Sequence, residues 1–75
     1  MRATKPLAQL KAGECARVYS ICAASAVRRR FRDLGLIDGT KIKCVLIGSG
    51  GMSAYLIRGA LIAIRREDAR KIIVY

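Results

Sequence analysis

The chain is 75 residues long, with 15 Lys and Arg against five Asp and Glu, no His, and a formal charge of +10. Hydrophobic residues make up 53% of it, too many for a disordered basic tail, and the length allows one domain at most, 1–75. The missing imidazole removes the commonest general base and metal ligand near neutral pH, and a chain this short buries only roughly 60–65% of its unfolded surface, which argues against an elaborate active site.

Residues 1–5 read as a frayed start, and Pro6 to Leu10 as one apolar turn with Leu7 and Leu10 three apart. Gly13 marks a turn. Cys15 to Cys22 alternate as a first strand, with neither face cleanly polar. Ser25 is placed to cap a short helix. On that helix Val27, Phe31 and Leu34 fall at i, i+4 and i+7, which makes one apolar stripe. Arg28, Arg29 and Arg32 lie on the opposite side and Arg30 on a flank. Gly35 ends the helix in the manner of a C′ glycine. Thr40 to Ile47, rich in β-branched residues, reads as a second strand. Gly48-Ser49-Gly50-Gly51 is a connector, Met52 to Arg58 a third strand, Gly59-Ala60 a tight turn and Leu61 to Arg65 a fourth. Arg66 to Arg70 forms one helical turn, and Ile72 to Tyr75 closes the chain as a strand. About five strands and one short helix describe an all-β fold, a small curled barrel.

The chemistry-bearing residues point away from catalysis. Glu14, Asp33, Asp38, Glu67 and Asp68 are not paired on one element, and no Ser has a His to activate it, so no catalytic residue is assigned. Cys15, Cys22 and Cys44 show neither CxxC spacing nor an even count. They read as buried, reduced thiols of a cytosolic protein, with no metal site and no cofactor. The Gly48–Gly51 stretch lacks the Lys and Ser or Thr of a phosphate loop. No segment is long and apolar enough to span a bilayer. The final strand, Ile72 to Tyr75, is expected to lie exposed, as an edge on which a second copy could pair weakly.

The informative feature is the arginine cluster. Arg28 and Arg32 are an i, i+4 like-charge pair, unfavourable by a few tenths of a kcal/mol within the helix. The cluster reads either as a solvated face or as an electropositive patch that meets an acidic partner, a nucleic acid or an anionic membrane. Nucleic acid would want aromatics interleaved with the cations. Of Tyr19, Phe31, Tyr55 and Tyr75, most sit at core positions, so a basic nucleic-acid-binding module is the second choice.

The segment Arg30 to Ile42, a helix ending in Leu34-Gly35-Leu36 followed by Gly39 and a β-branched strand, resembles the ferrous iron transport protein A (FeoA) family. Pro6 to Glu14 resembles that family's opening, and Arg58-Gly59, Leu61 to Arg65 and Ala69 to Val74 its ending. The resemblance implies an SH3-like barrel with an inserted helix, a fold also found as the C-terminal domain of diphtheria-toxin-repressor-type metalloregulators. With the barrel starting within ten residues of Met1, it implies a free-standing protein. It further implies a cytosolic accessory of bacterial ferrous iron uptake, acting on the cytosolic GTP-binding domain of the membrane transporter, ferrous iron transport protein B, and reaching the membrane only through it. The expected docking face is Arg28, Arg29 and Arg32. Phe31, Leu34, Gly35 and Leu36 are expected to hold the helix in place, and Gly39 and Gly59 to make the flanking turns.

Overall fold

The computed structural model describes residues 3–75. Six strands follow one another with α1 inserted after the second: β1 (Lys5–Pro6), β2 (Cys15–Ile21), α1 (Ser25–Asp33), β3 (Lys41–Ile47), β4 (Met52–Ile57), β5 (Ala60–Arg65), the short α2 (Arg66–Ala69) and β6 (Ile72–Val74). The sheet order is β1-β6-β2-β3-β4-β5, antiparallel at every pairing. The barrel corner lies within β2, whose first half, Cys15 to Arg17, pairs with β3 while Val18 to Ile21 pairs with β6. This is the expected small barrel, with a sixth strand added by Lys5–Pro6. Residues 1–2 of the expected frayed start lie outside the described residues, and Lys5 is paired, opposite Val74, rather than frayed. The final strand is not an edge. β6 runs between β1 and β2, and its backbone groups are already used on both sides. The edge strands are β1 and β5.

Each inward residue can be traced to its strand parity. Ala16 and Val18 point in from β2, Ile42 and Cys44 from β3, Tyr55 and Ile57 from β4, Ile64 from β5, and Ile72 and Val74 from β6. Leu7, on a single 3-10 turn at Leu7–Gln9, and Leu10 plug one end of the barrel. Burying such a side chain contributes roughly 1.5–3 kcal/mol.

Two register shifts break the alternation. One falls between Val18 and Ser20 on β2, the other between Cys44 and Leu46 on β3. A bulge adds one residue and so exchanges the faces beyond it. On β2 it brings Ile21 in against the core and leaves Ser20 and Cys22 outside. On β3 it turns Leu46 outward, opposite Ala54.

The β4–β5 hairpin turns on Arg58-Gly59, with φ of +51° and +82°. Ile57 and Ala60 pair as its last rung. Positive φ at both central residues is the type I′ geometry that suits strand twist, so the turn lies one residue before the expected Gly59-Ala60.

Candidate protein-docking site

Helix α1 begins one residue before expectation. Ala24 is its N-cap, Ser25 is its first helical residue, and no side chain caps the end. Its other end is closed by backbone. The Gly35 N–H donates to the Arg32 carbonyl at 2.9 Å and the Leu36 N–H to the Phe31 carbonyl at 3.0 Å, with Gly35 at φ +95°. These two bonds are the Schellman pair, which brings the residue after the glycine against the last inward residue of the helix. Accordingly Leu36 and Phe31 are both buried in the core. Leu34, expected to dock beside them, is 41% exposed. Leu36 fills the position beneath the last turn, so Leu34 is left at its rim.

Arg28, Arg29 and Arg32 are all exposed, but at 3.6 residues per turn only Arg29 lies opposite Phe31, while Arg28 and Arg32 sit on one flank of the helix. They do not act as one group. Arg28 and Arg32 line a groove of about 520 Å³ between α1 and β2, whose other walls are Tyr19, Ile21, Leu36 and Ile37, with Asp38 at one end. Arg29 is not among its lining residues. Arg30 reaches the other way, to Asp68 of α2 at 3.8 Å, with its guanidinium carbon 5.5 Å from the centre of the Phe31 ring. The cluster is thus divided between one tie within the fold and a pair of cations facing a groove with apolar walls.

The linker from α1 to β3 is anchored to β2. Gly39 donates its N–H to the Val18 carbonyl at 2.7 Å, Val18 donates to the Thr40 carbonyl at 2.9 Å, and Arg17 Nη1 donates to the Gly39 carbonyl at 2.8 Å. Gly39 and Gly59 line a second groove, of about 720 Å³, with Lys41, Lys43 and Arg58 as its cations. It shares Ile37 and Asp38 with the first groove, so the two run on from one another. Sequence reasoning did not single out these three cations. Lys41 and Lys43 alternate with the inward Ile42 and Cys44, a signal of one outward polar row. Arg58 was hidden by the misplaced turn.

The cysteines divide. Cys44 is wholly buried, and burial pushes its thiol up from the ordinary value. Cys15 and Cys22 are exposed, contrary to expectation. Cys15 lies on the outward row with Arg17, and Cys22 follows the β2 bulge. Among the described residues no three Cys, Asp or Glu come together to hold a metal ion. No helix there is long and apolar enough to cross a membrane.

Several solved structures share this architecture. An FeoA protein from Chlorobium tepidum is 41% identical, with a TM-score of 0.86, covering 93% of this chain and 68% of its own. An FeoA from Stenotrophomonas maltophilia, complexed with zinc, is 27% identical at a TM-score of 0.81, covering 93% and 88%. It is described as a prokaryotic SH3 domain protein and a candidate bacterial ferrous iron transport activating factor. A manganese-dependent transcriptional repressor in complex with manganese matches all of this chain with 37% of its own, at a TM-score of 0.91. At 20% identity that likeness is one of fold alone. Comparison with curated proteins finds no match. The family model for the FeoA domain matches residues 5–75, and the chain belongs to the FeoA domain family, with its SH3-like fold.

Proposed function

We propose that this protein is a cytosolic accessory of ferrous iron uptake that works by docking on the cytosolic GTP-binding domain of the membrane iron transporter. The observation that carries the reading is the groove between α1 and β2. It sets Arg28 and Arg32 beside apolar walls of Tyr19, Ile21 and Ile37, an arrangement that suits an acidic protein surface better than a small substrate. Cations of this kind steer encounter and fix orientation, while the apolar walls supply contact area. Membership of the FeoA family supports the iron-uptake setting, as does the activating role suggested for the Stenotrophomonas relative.

A pull-down of the transporter's cytosolic domain tests it. The triple variant Arg28→Glu, Arg29→Glu, Arg32→Glu is expected to lose the interaction. Retention at the wild-type level removes this surface from the reading. Because Arg29 lies outside the groove, Arg29→Glu alone is expected to weaken binding less than Arg28→Glu.

A second reading, electrostatic binding of nucleic acid, draws on one observation. Tyr19 is 55% exposed beside Arg28 and Arg32, an aromatic among cations. It requires binding to single strands or duplex that falls steeply with salt. No binding at low salt eliminates it.

A further inference from the structure

We propose that the outward face of the β2–β3–β4–β5 sheet is a second docking face, for an acidic protein segment that carries apolar side chains next to its acids. This face lies beyond the helical arginines, and the inference holds whichever protein supplies the segment.

The register builds the face row by row. Cys15, Lys43, Leu56 and Leu61 are successive cross-strand partners from β2 to β5. On one side of that row lie Arg17 and Lys41, paired with each other, and Arg58 at the hairpin turn. On the other side lie Leu46, Ala54 and Ala63, then Met52 and Arg65. One half of the face is therefore cationic and the other apolar except for Arg65, which lies 3.7 Å from Glu67. Leu46 is 62% and Leu61 64% exposed, an unusual number of open leucines for one small sheet. Leu46 is there only because of the β3 bulge.

The cations are available. Lys41, Lys43 and Arg58 line the larger groove, take part in none of the ion pairs among the described residues, and meet a single acid, Asp38. That choice of charge decides between occupants. A second copy would set the same cations against themselves in a protein already at +10, so self-association through this face is disfavoured. A nucleic acid would satisfy the cations and leave the leucines wet. One tyrosine, Tyr75, stands opposite Arg17 at the cationic margin, already set edge-on to Tyr19; β3, β4 and β5 offer no ring for bases to stack on, their one aromatic being the buried Tyr55. A membrane interface likewise favours Trp and Tyr at the headgroup level, and the leucine side of this face presents neither. An acidic segment with neighbouring apolar side chains satisfies both halves at once, with specificity from the charged half and contact area from the other.

The test uses the full chain, labelled with 15N, and a fluorescein-labelled peptide in which Glu and Leu alternate. A Glu-only peptide of the same charge, a DNA duplex and phosphatidylcholine–phosphatidylglycerol vesicles are compared with it. The Glu–Leu peptide is expected to bind most tightly, with amide shifts centred on Lys41, Lys43, Leu56 and Arg58. The double variant Lys41→Glu, Lys43→Glu is expected to weaken it roughly tenfold or more, since each reversal replaces an attraction by a repulsion. Leu61→Ser is expected to weaken the Glu–Leu peptide but not the Glu-only one. Equal binding of the two peptides, shifts centred on α1 instead, or tighter capture by duplex or vesicles through these same residues would overturn the proposal. The helical triple variant described above is expected to bind the peptide as wild type does, which separates failure of this face from failure of the groove beside α1.

Discussion

Gly35 and Arg58 meet where the end of α1 crosses the β4–β5 turn: a Cβ built on Gly35 would fall 2.8 Å from Arg58 Cδ. The arginine's aliphatic stem lies over the one residue that has no side chain to oppose it. Arg58 also lines the groove that Lys41 and Lys43 line. Gly35 is required on a second count, its φ of +95°, which L side chains rarely adopt. Gly35→Ala is therefore expected to lose at least about 1–2 kcal/mol, from the left-handed backbone alone. In a domain of this size that lowers Tm by roughly 4–8 °C per kcal/mol. Because the Arg58 stem can move aside, adding Arg58→Ala to Gly35→Ala should recover little of the loss. Full recovery would show that crowding rather than backbone conformation sets the requirement.

Arg58 carries strain of its own. It is the one non-glycine residue with positive φ, +51°, among those described. The first central position of a type I′ turn favours Asn, Asp or Gly. Arg58→Asn is expected to raise stability by about 0.5–1 kcal/mol while removing a groove cation. Thermal melts combined with Glu–Leu peptide titration check both halves. A variant that is more stable and binds more weakly fits a residue kept for its charge at some expense in stability. A variant that is less stable would mean that the stem's packing on Gly35 outweighs the backbone strain.

The two leucines of the helix terminus are expected to behave oppositely to their order in the apolar stripe. Leu36→Ala removes a side chain that is 1% exposed and packed in the core, for which about 2–5 kcal/mol is usual. Leu34, 41% exposed, should change stability by less than about 1 kcal/mol on truncation. Urea unfolding of the two variants compares them directly. A larger loss at Leu34 would contradict the Schellman placement.

Much of the fold was legible because alternation and glycine placement are local signals. The helix with Phe31 inward, the Gly35 terminus, the Gly48–Gly51 connector between β3 and β4, and the helical turn after Arg65 all follow from neighbours in sequence. What was not legible depends on pairing partners. The bulges at β2 and β3 exist only relative to the strands opposite, and they decide that Cys22 and Leu46 face out. β6 reads as an edge until β1, only two residues long, is known to pair beside it. The arginine cluster reads as one patch because nothing in the helix reveals that Asp68, 38 residues away, takes Arg30. The second cationic row needed the β2–β3 register to bring Arg17 beside Lys41.

The three thiols should separate cleanly in reactivity. Cys44 is fully buried, and burial first, with Glu14 adding to it, holds its pKa above the ordinary 9.0. The thiolate is the reactive form, so Cys44 is doubly protected. Mass spectrometry after brief iodoacetamide treatment at neutral pH should find Cys15 and Cys22 alkylated and Cys44 free, with the third label appearing only in denaturant. Labelling of Cys44 in the folded protein, at the rate of the other two, would mean that the barrel opens between β3 and β4 far more readily than its packing implies.

Stability should fall at both ends of the pH range, through different groups. Glu14 Oε1 accepts the Lys11 backbone N–H at 2.7 Å, and Lys5 Nζ lies 3.7 Å from its other oxygen. Chiefly through the Lys11 bond, its pKa is held below the ordinary 4.5. A depressed carboxyl contributes stability that is complete above the unfolded value and is lost as pH falls through the folded one. The acid loss from this group therefore lies below pH 4.5. Tyr55 is raised above 10.0, mainly by burial and further by Cys44. A raised acid favours the neutral form in the fold, so unfolding gains as the unfolded chain ionises first. The contribution of Cys44 accordingly declines as pH rises above 9.0 and that of Tyr55 above 10.0, each until the folded group itself ionises. The two groups are separated by comparing variants. Urea midpoints for Glu14→Gln should flatten the acid limb alone, and those for Cys44→Ala should flatten the limb that begins near pH 9.0. If the alkaline limb of Cys44→Ala is as steep as that of the wild type, the buried thiol does not set it, and the decline must be traced to Tyr55 through Tyr55→Phe.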